Sequence, residues 1–309
     1  MSKRTQFTIA VILSGGLLAM VVAGCRPDRP AAATLTPPLP GSTPTQSVTT
    51  PSLEVSPTPA PTSPPLAARA ARYPISLAEY EAELAMAQAA RGTELAPQDA
   101  ETVLQDLIDQ ALLAEAAVKQ GFTADDALIE DTIARMVEQL GSEQALQDWY
   151  IGFKYDDQTF RLALRRSIQA AWMRDRIAAQ VPTTAEQVHV RQILLYEADQ
   201  ANEVYRLLES GNSFRNLALQ YDPVTGGDLG WFPRGYLPHP QIEEAAFNLD
   251  LEAYSPIIET PAGFHILQLL ERDSARALAP DALLALQAKA VADWLAQNRQ
   301  TAEIEVLLP

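Results

Sequence analysis

The residues able to do chemistry are few in this chain of 309 residues. Three histidines, His189, His239 and His265, are too scattered to suggest a zinc cluster. Cys25 is the only cysteine, so no intrachain disulfide can form, and neither thiol catalysis nor a cysteine metal site is indicated. Nothing points to a cofactor or a metal. What stands out is the string Gly226-Gly227-Asp228-Leu229-Gly230-Trp231-Phe232. Its glycines permit positive φ and close backbone approach, so the apolar residues between them sit on a tightly bent backbone. A loop of this kind, feeding a short strand, presents Leu229, Trp231 and Phe232 in fixed directions. A plain hairpin turn would need no more than the Gly-Gly pair.

The elements around this string fall into a clear order. Residues 1–25 read as a secretion signal, with Lys3 and Arg4 followed by an apolar run from Phe7 to Val22. The segment ends Val22-Ala23-Gly24-Cys25, which resembles a bacterial lipobox; cleavage before Cys25 would leave its thiol lipidated at the new N-terminus. Residues 26–66 hold 12 of the 23 prolines among Thr, Ser and Ala, a composition that forms no core and reads as a disordered tether. The net charge is −16, yet residues 1–66 carry Lys3, Arg4, Arg26 and Arg29 against Asp28 and Glu54. The acidity therefore lies in the body. That argues against nucleic-acid binding, which needs Lys and Arg to neutralise phosphates, and it repels anionic membrane surfaces.

Residues 67–182 are expected to form a helical domain, the helical pattern opening at Tyr73. Ser76-Leu77-Ala78-Glu79 is a capping box in which Ser76 accepts from the Glu79 N–H and Glu79 reaches back. Pro97 suits a first helical turn, and Leu104, Leu107, Ile108, Ala111 and Leu112 form one apolar stripe. A third helix carries Ile129, Ile133, Met136, Val137 and Leu140 on one face. A short helix near Ala145–Ile151 and a long one from Asp157 to about Ala179 complete the block, in which no catalytic residues converge.

Residues 183–273 then change character. Val188 to Leu195 alternates and turns continuously apolar, as a central strand would. Helices follow at Ala198–Glu209 and around Phe214–Tyr221. After the glycine loop come a helix at Gln241–Phe247 and strands at Ser255–Glu259 and Gly263–Leu270. The order β-α-α-β-α-β-β predicts a compact α+β domain with a small antiparallel sheet. Residues 274–309 add a helix from Pro280 to Asn298 and an alternating strand from Glu303 to Leu308.

Four motifs, Arg191-Gln192-Ile193-Leu194, Gly227 to Gly235, Glu243-Glu244-Ala245-Ala246-Phe247 and Gly263-Phe264-His265-Ile266, resemble those of the parvulin (PpiC) family of peptidyl-prolyl cis/trans isomerases. They run in the family's order over residues 188–271. The string Leu107 to Ala116 and the C-terminal segment resemble secreted foldases of the PrsA and SurA types, which implies a parvulin-like domain inserted in or appended to an all-α chaperone-like domain. Those families usually open with a strand containing Val-Asn-Gly, where this chain reads Ala71-Arg72-Tyr73-Pro74-Ile75.

The resemblance implies isomerisation of X–Pro bonds in unfolded or proline-containing secreted chains. It places a proline pocket on Leu229, Leu237 and Ile242, with Phe232 and Phe247 beneath. It makes His265 the second histidine of a hydrogen-bonded pair and Thr260 the hydroxyl that supports it. Two departures matter: Gln192 stands where the first histidine is expected, and the loop before the glycines is shortened, leaving Asp222 as the candidate acid. Glutamine can accept or donate but cannot titrate. His189 would face the other side of its strand from Gln192 and not replace it. The implied protein is a lipid-anchored foldase on the extracytoplasmic face of the cell membrane, with a homodimer through the helical block open. The alternative is a non-catalytic holdase with a degenerate parvulin domain, and a third possibility is a structural lipoprotein with no client.

Overall fold

A computed structural model describes residues 64–308. Cys25, the signal segment and residues 26–63 of the expected tether lie outside the described residues.

The described chain opens on a hairpin. Leu66–Ala70 (β1) and Tyr73–Ser76 (β2) pair antiparallel, and the last strand of the chain, Ile304–Val306, pairs along the other side of β1. The expected all-α block beginning at residue 67 therefore gains a three-stranded sheet, and Tyr73 opens a strand where a helical pattern was expected. The reason lies in side-chain size. Ala67, Ala68 and Ala70 are completely buried with Ile75 beneath Leu104, Leu107, Ile108 and Ala111, and only small residues let the sheet lie that close to a helix.

Five helices follow: α1 (Leu77–Arg91), α2 (Pro97–Lys119), α3 (Asp126–Leu140), α4 (Glu143–Gly152) and α5 (Asp157–Ala178). Each start has a local cause. Ser76, Asp125, Ser142 and Asp156 accept from a backbone N–H of the first turn, and Pro97 occupies the first turn of α2. The capping box at Ser76 is only half formed. Ser76 Oγ accepts from Glu79 N at 3.1 Å, but the Glu79 carboxylate turns inward to pair with Arg166 of α5. Both groups are about 5% exposed, and Gln110 of α2 accepts from Arg166 Nε at 3.0 Å. A buried pair of this kind adds little net stability, but removing one partner strands the other charge.

The next strand, β3 (Thr184–Leu195), leads into α6 (Ala198–Glu209), α7 (Phe214–Tyr221), β4 (Asp228–Pro233), α8 (Pro240–Asn248), β5 (Ile258–Thr260) and β6 (Gly263–Ala277). The four strands form an antiparallel sheet in the order β4-β3-β6-β5. This is the β-α-α-β-α-β-β order expected from the sequence, with β3 starting at Thr184 and β6 running on to Ala277. Alternation along β3 sorts the two faces. Val188 and Val190 pack under α8 with Phe232, Leu267 and Leu269, while Ile193 and Leu195 pack under α6 and α7 with Ile266. Burial of each such side chain contributes about 1.5–3 kcal/mol.

Helix α9 (Pro280–Thr301) leads to the final strand, β7 (Ile304–Val306). Its Ala290, Val291, Trp294 and Leu295 lie against Leu113, Ala117, Met173 and Ile177 of α2 and α5. Arg299 clamps Asp109 of α2 through two nitrogens, one of them Nε at 2.6 Å. Among the described residues no helix is long and apolar enough to cross a membrane.

The helical block contains one buried acid without a cationic partner of its own. Glu83 of α1 is 6% exposed and accepts from Tyr155 Oη at 3.1 Å. Burial, then the nearby Glu79 carboxylate, pushes its pKa up to about 7. The folded state thus holds a proton that the unfolded chain releases near pH 4.5. The stability it contributes is fully present below that value and is lost as pH rises to 7, a change on the order of 3 kcal/mol. Glu83→Gln keeps an acceptor for Tyr155 and cannot ionise. Urea unfolding at pH 5 and pH 8 is expected to show a flatter pH dependence in this variant, with the larger gain over the parent at pH 8.

Candidate active site

The site grows from a contact between a glycine and a strand. Gly227 has φ +72° and its carbonyl accepts from Gln192 N at 2.8 Å. A Cβ at Gly227 would lie 1.9 Å from the Gln192 carbonyl oxygen, so no other residue fits there without moving β3. The glycine loop is thereby pinned to the backbone of the residue that stands in place of the expected histidine. From Asp228 the chain runs on as β4, with a bulge opposite Val190 and Arg191.

Gln192 and His265 meet across the β3–β6 pair. The Cα of Gln192 lies opposite Leu267 and that of His265 opposite Leu194, so the two side chains are diagonal neighbours on the face that carries α8. His265 is 4% exposed, its Nδ1 lies 3.1 Å from Gln192 Oε1, and its Nε2 lies 2.9 Å from Thr260 Oγ1. The proton positions follow from the partners. Thr260 Oγ1 accepts from Ala262 N at 3.1 Å, and its one hydrogen goes to Nε2, a shorter contact than the 3.3 Å to Gly263 O. Nε2 is then an acceptor, Nδ1 carries the ring proton, and Gln192 meets it with its carbonyl oxygen. Burial, then the neighbouring His239 ring 6.5 Å away, lowers the His265 pKa from its usual 6.5. The imidazole is neutral at pH 7. The Gln192 amide nitrogen has no hydrogen-bond partner among the described residues.

The apolar residues named from sequence collect beside this chain of hydrogen bonds. Leu267, opposite Gln192, and Ile258, opposite His265, belong to one cluster with Leu229, Phe232, Leu237, Ile242 and Phe247. The structure divides them into wall and floor. Leu229 and Leu237 are half-buried and reachable, whereas Phe232, Ile242 and Phe247 are 1%, 5% and 4% exposed. Ile242, expected in the wall, is thus part of the floor, because α8 turns it inward towards the sheet. Phe232 and Phe247 meet edge to face at 6.2 Å, and the Arg234 guanidinium lies 4.0 Å from the Phe247 ring centre.

Asp222 stands apart from this chain. Its carboxylate accepts from Val224 N at 3.0 Å, Thr225 N at 3.1 Å and Gly227 N at 3.3 Å, and it also bonds the Thr225 hydroxyl. These bonds, that of the hydroxyl first, hold its pKa below the usual carboxylate value. It is a turn residue that shapes the glycine loop, and its hydrogen bonds reach neither Gln192 nor His265. His189 lies on the opposite face of the sheet, stacked on Trp231 and between Asp228 at 2.8 Å and Glu271 at 3.1 Å. Among the described residues no group of three or more His, Cys, Asp or Glu could hold a metal.

One residue at the site was named in the sequence only as part of a motif, with no role given to it. Glu243 of α8 is 8% exposed, and its carboxylate accepts from Gly235 N at 2.7 Å and Leu237 N at 2.5 Å. It ties the loop that carries Leu237 to the helix that carries Ile242 and Phe247. The available signal was its position, since an acid three and four residues before Ala246 and Phe247 falls on the buried stripe of the helix.

Residues 195–271 match the rotamase family, described as the PPIC-type PPIASE domain. The chain that carries this PPIC-type domain is similar to proteins of the PrsA and SurA types. It is similar to a protein named Chaperone SurA from Methylobacillus flagellatus, 36% identical over 148 residues, covering 41% of this chain and 34% of that protein. It is also similar to a Foldase protein PrsA from Caldanaerobacter subterraneus subsp. tengcongensis, 29% identical over 185 residues, covering 54% of this chain and 56% of that one. The chain therefore spans roughly a third to a little over half of these relatives. A solved peptidylprolyl isomerase (PrsA) from Bacillus cereus is 19% identical with a TM-score of 0.43, covering 74% of this chain and 84% of that one.

Two substitutions test how the site is held. Gly227→Ala is expected to cost several kcal/mol or to prevent folding of the β3–β4 region, since it combines a backbone clash with a left-handed φ. Glu243→Ala frees two backbone N–H groups and is expected to cost about 1–3 kcal/mol, read as a lower denaturant midpoint with an unchanged slope.

Proposed function

We propose that this chain is a foldase that accelerates cis/trans isomerisation of X–Pro bonds in polypeptides outside the cytoplasm, held at the membrane by lipidated Cys25. The observation that carries the catalytic part is the neutral chain Gln192–His265–Thr260 beside the half-buried Leu229 and Leu237. Rotation about a peptide bond costs about 18–20 kcal/mol, and X–Pro bonds exchange unaided in tens to hundreds of seconds. A catalyst must bind the twisted amide better than either planar form. The twisted amide is less charge-separated, so apolar walls and an uncharged imidazole favour it. Twisting also frees the lone pair of the prolyl nitrogen, which then accepts a hydrogen bond.

Gln192 Nε2 is the donor to meet that lone pair. Its oxygen is engaged by His265 Nδ1, which fixes the amide plane and leaves the NH₂ group unpartnered. Both nitrogens of His265 are already in use, so His265 acts by orienting Gln192, with Thr260 fixing the tautomer. On this account glutamine preserves what the site requires. Extracytoplasmic location and lipid anchoring are supported by the signal segment ending Val22-Ala23-Gly24-Cys25 and by the proline-rich stretch after it. Binding of unfolded clients is supported by the names foldase and chaperone borne by the similar proteins.

The second reading, a holdase that binds proline-containing segments without turning them over, is favoured by Gln192 itself, which cannot titrate. A prolyl-peptide isomerisation assay separates the two. The parent is expected to be active, Gln192→His to change kcat/KM by less than about tenfold, and Gln192→Leu to lower kcat by about 10²-fold, as for loss of one oriented donor. His265→Ala should lower activity comparably with little loss of fold. Because the His265 pKa is depressed, activity should hold from pH 8 down to pH 6.5 and fall only in more acid solution. An inactive parent that gains turnover on Gln192→His would establish the holdase.

A further inference from the structure

The loop at the edge of the candidate site is gripped from two sides. Residues 234–237 form a short strap between β4 and α8, and Leu237 at its end is one of the half-buried apolar side chains of the site. From the site side, Glu243 binds the Gly235 and Leu237 N–H groups. From the other side the strap meets α9. Tyr236 Oη donates to Asp281 Oδ2 at 2.8 Å. Gly235, with φ +83°, lies so near α9 that a Cβ there would be 3.2 Å from Lys289 Cδ and 3.4 Å from Leu286 Cδ2. The absence of a side chain at residue 235 is what lets helix and strap touch.

Helix α9 is in turn fixed to the helical block. Val291, Trp294 and Leu295 pack on Met173 and Ile177, Gln287 Nε2 donates to Ala178 O at 3.4 Å, and Arg299 holds Asp109. One rigid element thus touches the strap along its N-terminal part and the helical block along the rest. The hydrogen bond leaves its mark on both partners: Tyr236 titrates higher than a free tyrosine and Asp281 lower than a free aspartate, each chiefly because of the other.

We propose that α9 is a positioning element of the isomerase site, acting through Tyr236–Asp281 and the Gly235–Leu286–Lys289 contact to set Leu237. Occupancy of the proline site and docking of α9 on the strap are therefore coupled. The proposal rests on the reading of Leu229 and Leu237 as a proline-binding wall. Coupling of this kind is reciprocal. If α9 favours the strap conformation that binds a prolyl peptide, the peptide must tighten α9 on the strap by the same factor. Positions 281, 286 and 289 do not line the apolar cluster, so they act on substrate only through residues 235–237.

The test uses the full chain, a short Ala-Ala-Pro-Phe peptide and three variants, Tyr236→Phe, Leu286→Ala and the pair together. Peptide isomerisation is expected to show KM raised two- to tenfold, the range given by one lost hydrogen bond, with kcat nearly unchanged. Backbone hydrogen exchange supplies the independent readout. Saturating peptide should slow exchange across residues 281–290 in the parent, and the double variant should lose that protection while still binding peptide. Peptide that binds and is turned over without changing exchange in α9 would overturn the coupling and leave the proposed function standing. A fall in kcat with KM unchanged would overturn it too. A parent that neither binds nor isomerises the peptide would remove the proline site itself, and the coupling with it.

Discussion

The backbone contact between Gly227 and Gln192 is the constraint on which the rest of the site depends. A carbonyl and an N–H meet at 2.8 Å where even a methyl group would collide with β3. That contact holds the backbone of Gln192, whose side chain meets His265, and it sets the start of β4 beside β3. Leu229 and Phe232 follow two and five residues later on a chain whose direction is already set. Glu243 does the corresponding work on the far side, using a buried carboxylate to hold two backbone N–H groups. Asp222 adds a third point, since its carboxylate gathers the donors of the turn that precedes the glycines. Backbone contacts and two acids thus frame a site whose hydrogen-bonded core is electrically neutral.

That neutrality separates the site from acid–base catalysis. His265 is buried, its pKa is depressed, and both ring nitrogens are committed to partners. It has no proton to give and no lone pair to offer. An X–Pro bond needs neither, because its rotation makes and breaks no covalent bond to hydrogen. On the proposed function a glutamine serves where a titrating group would add nothing, provided its oxygen is held so that its nitrogen points one way.

Much of this was legible in the sequence because the signals were local. The glycine string, the alternation along Val188 to Leu195, the cap at Ser76 and the first-turn Pro97 each act within a few residues. The order of strands and helices along this part of the chain followed from them. What was not legible depended on partners far along the chain. Leu66 to Ala70 is rich in alanine and arginine, which favour helix, and it becomes the central strand between the neighbouring Tyr73–Ser76 and the distant Ile304–Val306. Glu79 was expected to close its own capping box, but Arg166, 87 residues away, drew its carboxylate inward. Asp222 was ambiguous because an acid in a turn and an acid in a site look alike in sequence. Only its hydrogen bonds distinguish them.

The pairing of β1 with β7 also bears on the order in which the molecule can be completed. The sheet of residues 184–277 draws all its strands from one continuous stretch and can close as soon as that stretch is available. The outer sheet joins residues 68–70 to residues 304–306, so its central strand waits for nearly the whole chain. Contacts of such long sequence separation form late. Until then the alanine-rich β1 has one open edge, an exposed template for pairing with another strand. A chain delivered from its N-terminus would thus hold a finished inner domain while the outer one is still missing its last strand. The protein proposed to assist the folding of others must itself pass through an interval in which its N-terminal strand is unpaired on one side.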